Sequence, residues 1–460
     1  MSANPKLSMS RRDFMRLSAI AAGGAALAGG LPQVFLAHAQ DTVEITFTDP
    51  GRDLGIAYDQ VIGDTFNAAM QAAGKPYRVV INHGPATDND YVAKLNLDAA
   101  SGQSADVSNV NFSAYQDMVA AGYLADITDL VNAWDEWPKF AQVVKDQIVV
   151  DGKYYGVSGA TTFTMFYRKD VLDKAGISTA QPKTWEDFYN ICDDIITKTG
   201  AIPAGIPGAR PWGGGTWEEG FRHVWLGYAE SNQIYDTSDK KWVVSSDGLL
   251  KALQVYETLA KNKWLTVEAL LSPNPWEPIK YQGFVQGKVI MATGGDWQWE
   301  FDWGPKGANP IDDIFNKVDR WLFPSAIGDP FTYAAAGGPD AISATAKDIP
   351  GAFEFIKANF TAAGSCKALE TYFGGPSPIS DFGDDCAFYN TAIDGKMAEA
   401  GKTLANGRFV VSGPGESKIV DGIGLATENV ITLAQTPEQA MADFAAAMKD
   451  QIGEDGVKTL

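Results

Sequence analysis

The chain has 460 residues, of which 45% are hydrophobic and 20% charged, with a formal net charge of −20 at neutral pH. This length is enough for two or three domains, each with its own core. Such an excess of acidic residues argues against binding to DNA, RNA or anionic lipid surfaces, all of which attract lysine and arginine.

The amino terminus carries a predicted export signal. Two adjacent arginines, Arg11 and Arg12, precede a weakly apolar run over residues 17–36 that ends in the small-x-small sequence A-H-A. This pattern is typical of a twin-arginine leader. A membrane anchor is the weaker interpretation, because the run is rich in glycine and alanine and contains a proline. We therefore expect residues 1–39 to be a signal peptide and the mature protein to work in the periplasm.

Strand-like and helix-like segments alternate along the rest of the chain, which predicts an α/β fold with buried, mainly parallel strands. The predicted strands span residues 43–47, 77–81 and 105–110. The predicted helices span residues 57–72, 91–100, a segment ending at 121, a segment that starts after the N-cap Thr184, and 247–262, 349–362, 367–372 and 437–450.

Motifs for catalysis and for histidine-based metal binding are missing from the sequence. His38, His83 and His223 are the three histidines, and there is no H-E-x-x-H, C-x-x-C or G-x-S-x-G motif. We therefore expect no cofactor and no enzymatic activity. A calcium site made of carboxylates and a glycosidase pair of carboxylates both stay open.

The three cysteines suggest one disulfide and one free thiol. Cys366 and Cys386 close a short loop that contains Gly374-Gly375-Pro376, and we predict that they are bonded. Such a bridge could contribute about 3 kcal/mol to stability. Cys192 lies in a helical pattern with apolar neighbours and is expected to be a buried free thiol.

Tryptophan is concentrated in one part of the chain, where nine of the thirteen residues fall between positions 212 and 303. A tryptophan in a glycine-rich loop must pack on another element or on a ligand, and the C–H-rich face of a sugar stacks well on a flat ring. Trp212, Trp217 and Trp297 are therefore candidate ligand contacts, with core packing as the alternative for each.

Four groups of segments give the chain a specific resemblance. They are A-D-V (105–107) with A-A-G-Y-L-A-D-I (120–127), D-G-K-Y-Y-G-V (151–157) with F-Y-R-K-D-V-L (166–172) and P-K-T-W (182–185), F-V-Q-G-K-V-I-M-A (284–292) with D-W-Q-W (296–299), and A-G-G (336–338) with A-I-S (341–343). In this order and spacing they resemble the extracellular solute-binding proteins of family 1, relatives of maltose-binding protein that supply ABC importers.

The resemblance implies a two-lobed periplasmic-binding-protein fold of type II, with the ligand cleft between the lobes. The chain would cross between lobes near residues 156–161, 334–339 and 390–396. An N-terminal lobe would hold residues 40–157 and 339–392, and a C-terminal lobe residues 158–338 and 393–460.

Site residues follow from the same resemblance by position. They are Arg52 and Asp53 after the first strand, His83 after the second, Asn109, Asn111 and Phe112 after the third, Thr161 and Gly337 near the crossings, and Asp296 with the stacking aromatic Trp297. Relatives often use a carboxylate near Thr161, and its absence here points to a ligand other than maltose.

The implied function is capture of a sugar, oligosaccharide or polyol by a monomeric periplasmic protein that delivers it to an inner-membrane ABC permease. An acidic or phosphorylated sugar is an alternative ligand, because arginines occur at positions 52, 210 and 222. The alternatives are a non-sugar solute such as a glycerol phosphodiester or a polyamine, a binding protein that reports to a receptor, and an exported carbohydrate-active enzyme.

Overall fold

A computed structural model describes residues 42–404, 407–411 and 413–460. The predicted leader, with its arginine pair and His38, lies outside the described residues. Within the part that is described, no helix is both long enough and apolar enough to cross a membrane.

Fifteen strands are found among the described residues. They are β1 (Val43–Pro50), β2 (Tyr77–Gly84), β3 (Val107–Asn109), β4 (Val149–Val150), β5 (Lys153–Tyr154), β6 (Gly156–Val157), β7 (Ala160–Arg168), β8 (Ile202–Gly205), β9 (Tyr235–Asp236), β10 (Lys241–Ser245), β11 (Val289–Gly295), β12 (Val318–Trp321), β13 (Tyr333–Ala336), β14 (Asp340–Ile342) and β15 (Val457–Thr459). The three strands predicted in the first 110 residues are confirmed as β1, β2 and β3.

The α-helices of the described residues are Asp53–Ala72, Asp88–Ser101, Phe112–Ala120, Thr128–Asn132, Gln142–Ile148, Lys169–Ala175, Trp185–Thr199, Arg222–Leu226, Asp247–Lys261, Val267–Leu270, Ile314–Lys317, Ile349–Phe360, Ala362–Ser365, Phe382–Asp385, Ala387–Thr391, Lys396–Thr403, Glu416–Ile431 and Pro437–Ile452. Thr184 is the N-cap of Trp185–Thr199, as predicted, in a capping box with Asp187. The helix predicted over 367–372 is wrong. Only a 3₁₀ turn forms there, at Ala368–Glu370, because two glycines and a proline follow closely.

Two five-stranded sheets organise the molecule. The first sheet has the order β2-β1-β3-β14-β6, and the second has the order β12-β7-β11-β8, with β13 also pairing with β7. Each sheet has its own apolar core. The first core includes Phe47, Phe66 and Phe355, and the second includes Phe188, Trp225 and Tyr256.

The expectation of mainly parallel strands is wrong for the second sheet. In the first sheet β1 pairs in parallel with β2 and β3, but β14 pairs antiparallel with β3 and β6. In the second sheet β7 is antiparallel to β11, β12 and β13. The reason is that β7 enters this sheet directly from the first sheet, rather than through a helical crossover that would make it parallel to its neighbours.

The chain passes between the sheets at two short segments. Residues 158–159 join β6 of the first sheet to β7 of the second, and residues 337–339 join β13 to β14. The two segments touch, because the Gly337 N–H donates to the Gly159 carbonyl at 3.0 Å. The Ser158 hydroxyl also donates to the Gly337 carbonyl at 2.8 Å.

Candidate functional site

Three carboxyl groups gather at the carboxyl end of β1. Asp49 lies near the end of the strand, Asp59 is buried on the helix Asp53–Ala72, and Asp340 begins β14. Burial, and then the charge of Asp340, raise the pKa of Asp49 to about 7. Burial, and then the charges of Asp49 and Asp340, raise the pKa of Asp59 to about 9, so Asp59 keeps its proton at neutral pH. A hydrogen bond joins the carboxyl groups of Asp59 and Asp49.

His83 extends this cluster toward solvent. It lies at the carboxyl end of β2, and its Nε2 is 3.0 Å from Oδ2 of Asp59. Burial lowers the pKa of His83, so a neutral imidazole faces a neutral carboxyl group. The structure thus places His83 beside the three carboxyl groups, with a quarter of its side chain exposed.

Asn109 uses its amide to hold the second crossing. Its Nδ2 donates to the Gly338 carbonyl at 3.0 Å and to Oδ1 of Asp340 at 2.9 Å. Asn359 donates to the other Asp340 oxygen at 2.6 Å. Burial still raises the pKa of Asp340 to about 6. The donors of Asn109 therefore position the chain between the sheets.

The other residues predicted on the first sheet stand at the starts of helices. Arg52 precedes the helix Asp53–Ala72, and its Nε donates to the Ala86 carbonyl at 3.1 Å. Asp53 is exposed in the first turn of that helix, where a negative charge is favourable. The Asn111 carbonyl accepts the Ala114 N–H at 3.0 Å, and the half-buried Phe112 packs on the first core.

Trp297 is a half-exposed aromatic residue at the carboxyl end of β11 in the second sheet. It follows β11, and its ring meets Phe163 of β7 edge-on at 5.2 Å. Gly295 makes room for it, because a Cβ at that position would lie 1.9 Å from the indole ring. The indole is held against the crossing strand while part of it stays accessible.

A second polar group includes residues of the turns Thr216–Phe221 and Glu277–Phe284, both of which contact β11. Lys280, only 1% exposed, forms an ion pair with Glu219. Burial raises the pKa of Asp302 to about 6, and the Lys280 charge opposes this shift. Burial and the charges of Asp302 and Glu219 also raise the pKa of Tyr281.

Arg52, which follows β1, also acts through its charge on Tyr281 of this group. Its positive charge acts against the upward pKa shift of Tyr281, which lies between β8 and β11 in the chain. The charge of one residue that follows β1 therefore acts on a hydroxyl group that precedes β11.

The predictions for Trp212 and Trp217 as ligand contacts are not supported by their positions. Trp212 is fully buried and packs on Trp276 at 5.2 Å between ring centroids. Trp217 is 1% exposed, and its indole N–H donates to Glu416 at 2.9 Å. Both side chains are core residues, because the turns around them fold back over the second sheet.

Asp296 is also buried, and its carboxylate is fully engaged. The backbone N–H and hydroxyl of Thr162 donate to one oxygen at 2.7 and 2.6 Å, and Arg320 lies 3.1 Å from the other. Burial nonetheless raises the pKa of Asp296. The structure thus places Asp296 in a structural role, in which it ties the turn after β11 to β7 and β12.

The residues predicted at the crossings lie there. Thr161 is buried in β7, and its hydroxyl has no hydrogen-bond partner among the described residues. Gly337 is half-exposed and follows β13.

The cysteines and the remaining arginines are bonded, buried or paired within the protein. Cys366 is bonded to Cys386, and Cys192 is buried and free. Arg222 is 4% exposed and lies 4.2 Å above the Tyr333 ring. Arg210 is 3.5 Å from Glu428. His223 is buried in the second sheet's aromatic core, and burial lowers its pKa well below the usual range.

Asp59, Asp340, Asp302 and Tyr281 are the residues that sequence reasoning missed. One signal was available for Asp59, which shares the buried face of its helix with Ile62, Gly63 and Phe66. A carboxyl group at the first position of an i, i+3, i+4, i+7 apolar stripe is unusual. No comparable local pattern marks the other three. Across the described residues, no group of three or more histidine, cysteine or acidic side chains is arranged to hold a metal ion.

Comparison with known sequences and structures places this architecture among binding proteins. The sequence profile of the family described as bacterial extracellular solute-binding protein matches residues 62–385. An arabinooligosaccharide-binding protein of Bacillus subtilis is 25% identical over 190 residues, which are 40% of this chain and 40% of that protein. The match thus spans well under two thirds of that relative.

Two solved structures share the fold over most of the chain. The GacH receptor of Streptomyces glaucescens, solved unliganded and with acarbose, superposes with a TM-score of 0.72 at 20% identity, covering 90% of this chain and 100% of that one. An ABC substrate-binding protein of Listeria monocytogenes, in complex with cycloalternan, gives 0.71 at 19% identity, with 90% and 100% covered. The fold is therefore the two-lobed α/β fold of periplasmic sugar-binding proteins.

Proposed function

The chain belongs to the bacterial extracellular solute-binding protein family, and we propose that it captures a carbohydrate and delivers it to the permease of an ABC importer. The ligand class is a sugar, an oligosaccharide or a polyol. The named relatives support this class, since one binds arabinooligosaccharides and two were solved with acarbose or cycloalternan.

The observation that carries the proposal is the half-exposed Trp297 beside the crossing strand. An aromatic face held by Phe163 and Gly295 suits stacking on a sugar ring. Carboxyl and hydroxyl groups such as Asp302 and Tyr281 suit hydrogen bonding to sugar hydroxyls. Lobe closure would bring the Asp49 cluster and Arg52 to the other side of the ligand.

The charge of the surrounding groups favours a neutral ligand over an acidic one. Arg222 is stacked on Tyr333 and Arg210 is paired with Glu428, so neither supports the acidic or phosphorylated sugar left open by the sequence. The charge of Arg52 acts on the Asp49 carboxyl group, and the charge of Asp302 acts on the Tyr281 hydroxyl. The same acidic and aromatic surroundings make a polyamine the second candidate.

We extend the proposal to the lobes and the hinge. One lobe would hold residues 40–157 and 339–392, and the other residues 158–338 and 393–460. The two hydrogen-bonded crossings at 158–159 and 337–339 support this division. At the proposed third crossing, Ile393, Asp394 and Gly395 adopt positive φ angles of 51°, 53° and 73° in succession. Met397 and Leu404, which follow it, are buried in the first core.

The proposal has three further parts. The protein is exported by the twin-arginine route, works in the periplasm as a monomer, and has no enzymatic activity. The family description, extracellular solute binding, supports the compartment and the non-enzymatic role. The arginine pair supports the route.

A ligand screen by thermal shift tests the proposal. Residues 40–460 would be melted alone and with arabinotriose, maltose, maltotetraose, acarbose, sorbitol, a glycerol phosphodiester and spermidine. A ligand at 100 times its Kd stabilises the folded state by about 2.7 kcal/mol, a clear rise in Tm. We expect this rise with at least one saccharide or polyol.

The Trp297→Ala variant identifies the site. Loss of stacking should weaken binding by about 1–2 kcal/mol, or about 5- to 30-fold in Kd. The control is Trp217→Phe, a change in the buried core, which should lower Tm without reducing the ligand-induced rise. A rise with spermidine alone would favour the polyamine, and consumption of a saccharide would establish an enzyme instead.

A further inference from the structure

A loop closed by a disulfide packs in the first core and is hydrogen-bonded to the segment that follows β11 of the second sheet. The bridge Cys366–Cys386 encloses residues 367–385, and Phe373 within it is buried in the first core. From the segment after β11, the Glu300 carboxylate accepts the Phe373 N–H at 2.6 Å. Lys306 donates to the Glu370 carbonyl at 2.9 Å. Charged side chains that follow β11 thus hold the backbone of this disulfide loop.

The disulfide loop also lies directly on the crossing strand. Gly375 approaches β7 so closely that a Cβ there would lie 2.4 Å from the Ala160 carbonyl. Only glycine allows this approach without displacement of the backbone. The loop is therefore fixed at the bridge, at Glu300 and at the strand that links the two sheets.

Tyr372 occupies the part of the loop between these fixed points. Its side chain is half-buried, and its ring meets Phe301 edge-on at 6.2 Å. Burial raises the pKa of its hydroxyl, and the charge of Arg52 opposes this shift. The carboxylates of Asp302, Glu300 and Asp49 also act on it. The Tyr372 hydroxyl is not among the buried polar atoms that lack a partner, and the half-buried side chain leaves it open to water or a ligand.

Tyr372 therefore lies beside Phe301, in a loop that is held by Glu300 and Lys306 and packs on β7. A hydroxyl in such surroundings is stabilised only when water or a ligand completes its hydrogen bonds. Its ring has the same stacking ability as that of Trp297.

We propose that Tyr372 is a ligand-binding residue that the disulfide loop contributes to the carbohydrate site, with its hydroxyl bonded to a sugar hydroxyl. This inference rests on the proposed function. The Cys366–Cys386 bridge acts as a positioning device: it keeps the loop ordered before binding, so that less conformational entropy is lost when the ligand arrives.

Isothermal titration with arabinotriose and acarbose tests the inference. Tyr372→Phe should raise Kd about fivefold through loss of one hydrogen bond. Tyr372→Ala should raise it at least about tenfold, since the ring contact is lost as well. The Cys366→Ser/Cys386→Ser double variant should also raise Kd, by less than Tyr372→Ala.

Tyr77→Phe is the matched control, because Tyr77 starts β2 at the opposite end of the first sheet. It should leave Kd unchanged, and a thermal melt of each variant checks folding. If the wild type binds a saccharide and Tyr372→Phe and Tyr372→Ala bind it equally well, this inference is wrong and the proposed function stands. If the wild type binds no saccharide and no polyol, the proposed function fails and this inference fails with it.

Discussion

Asp59 shows how one buried carboxyl group changes the chemistry of its neighbours. It sits on the apolar face of a helix, 6% exposed, between Asp49 and His83. Burial disfavours the charged form of the Asp59 carboxyl group. Asp59 therefore keeps its proton and donates it in a hydrogen bond to Asp49, with no positively charged partner among the residues described. The cluster can therefore present one carboxylate, Asp49, with a defined hydrogen-bond donor behind it.

The raised pKa values predict how stability depends on pH. Asp59 and Asp49 have pKa values of about 9 and 7 in the folded protein, against the ordinary value of 3.8. The unfolded chain releases these protons at lower pH, so the stability they contribute is full below pH 4 and is lost as pH rises toward 9. We expect Tm to fall over this range.

Asp59→Asn should reduce this fall, because asparagine can donate to Asp49 but does not titrate. The control is Asp64→Asn, an exposed change on the same helix, which should keep the wild-type profile. Calorimetry at pH 5, 7 and 9 gives the comparison. Parallel Tm profiles for wild type and Asp59→Asn would contradict the assigned role of Asp59. Asp340, Arg52, His83, Tyr58 and Tyr91 face the same cluster, so part of the slope will remain.

The tryptophans separate into two groups by exposure. Of the nine between positions 212 and 303, Trp276 and Trp297 are half-exposed and the other seven are buried. Their density therefore reflects the aromatic core of the second sheet more than a ligand site. A ring contributes a large apolar area wherever it is buried, and composition does not distinguish the two uses.

Among the elements, the turn Asp296–Trp299 is the one that positions Trp297. Asp296 at its start bonds to Thr162 of β7 and to Arg320 of β12, and Trp297 follows at once. The position of the indole is therefore set by a buried carboxylate that joins three strands.

Asp296→Asn should destabilise the protein by about 3 kcal/mol, because one accepting oxygen becomes a donor and Arg320 keeps only its exposed partner Glu399. Urea unfolding followed by tryptophan fluorescence measures this loss. Asp312→Asn is the control, since the Asp312 side chain is fully exposed and 3.7 Å from Lys317. It should leave the unfolding curve unchanged. Equal curves for the two variants would show that the buried carboxylate has no structural role.

For the whole molecule, the two sheets and their crossings predict closure around the ligand. The crossings are short and hydrogen-bonded, so rotation about residues 158–159 and 337–339 is the simplest motion available. A ligand held from both sides stabilises the closed form, since only that form makes both sets of contacts.

Small-angle X-ray scattering can detect this closure. The radius of gyration of the mature protein, about 22 Å for its length, should fall when a saccharide found in the screen is added. Trp297→Ala at the same ligand concentration should change less, because less of it is bound. An unchanged radius in a saturated wild type would rule out closure on binding.

The sequence by itself determined the family, the α/β class, the early strands and the bridged cysteines. These depend on local patterns, since alternation marks a strand, Thr184 with Asp187 marks a helix start, and D-G-K-Y-Y-G with P-K-T-W marks the family. The same local reasoning missed the helix Glu416–Ile431, which contains glycines and is stabilised by burial of one face.

Only the tertiary structure decided which polar and aromatic residues are accessible. Trp217 and Asp296 looked like ligand contacts in sequence but are buried. Asp59 is instead brought to Asp49, and the charges of Arg52 and Asp302 act on both Tyr281 and Tyr372 from distant segments. It also decided that β7 runs antiparallel to its neighbours. The physical reason is that burial and electrostatic environment depend on contacts between residues hundreds of positions apart, which no local pattern encodes.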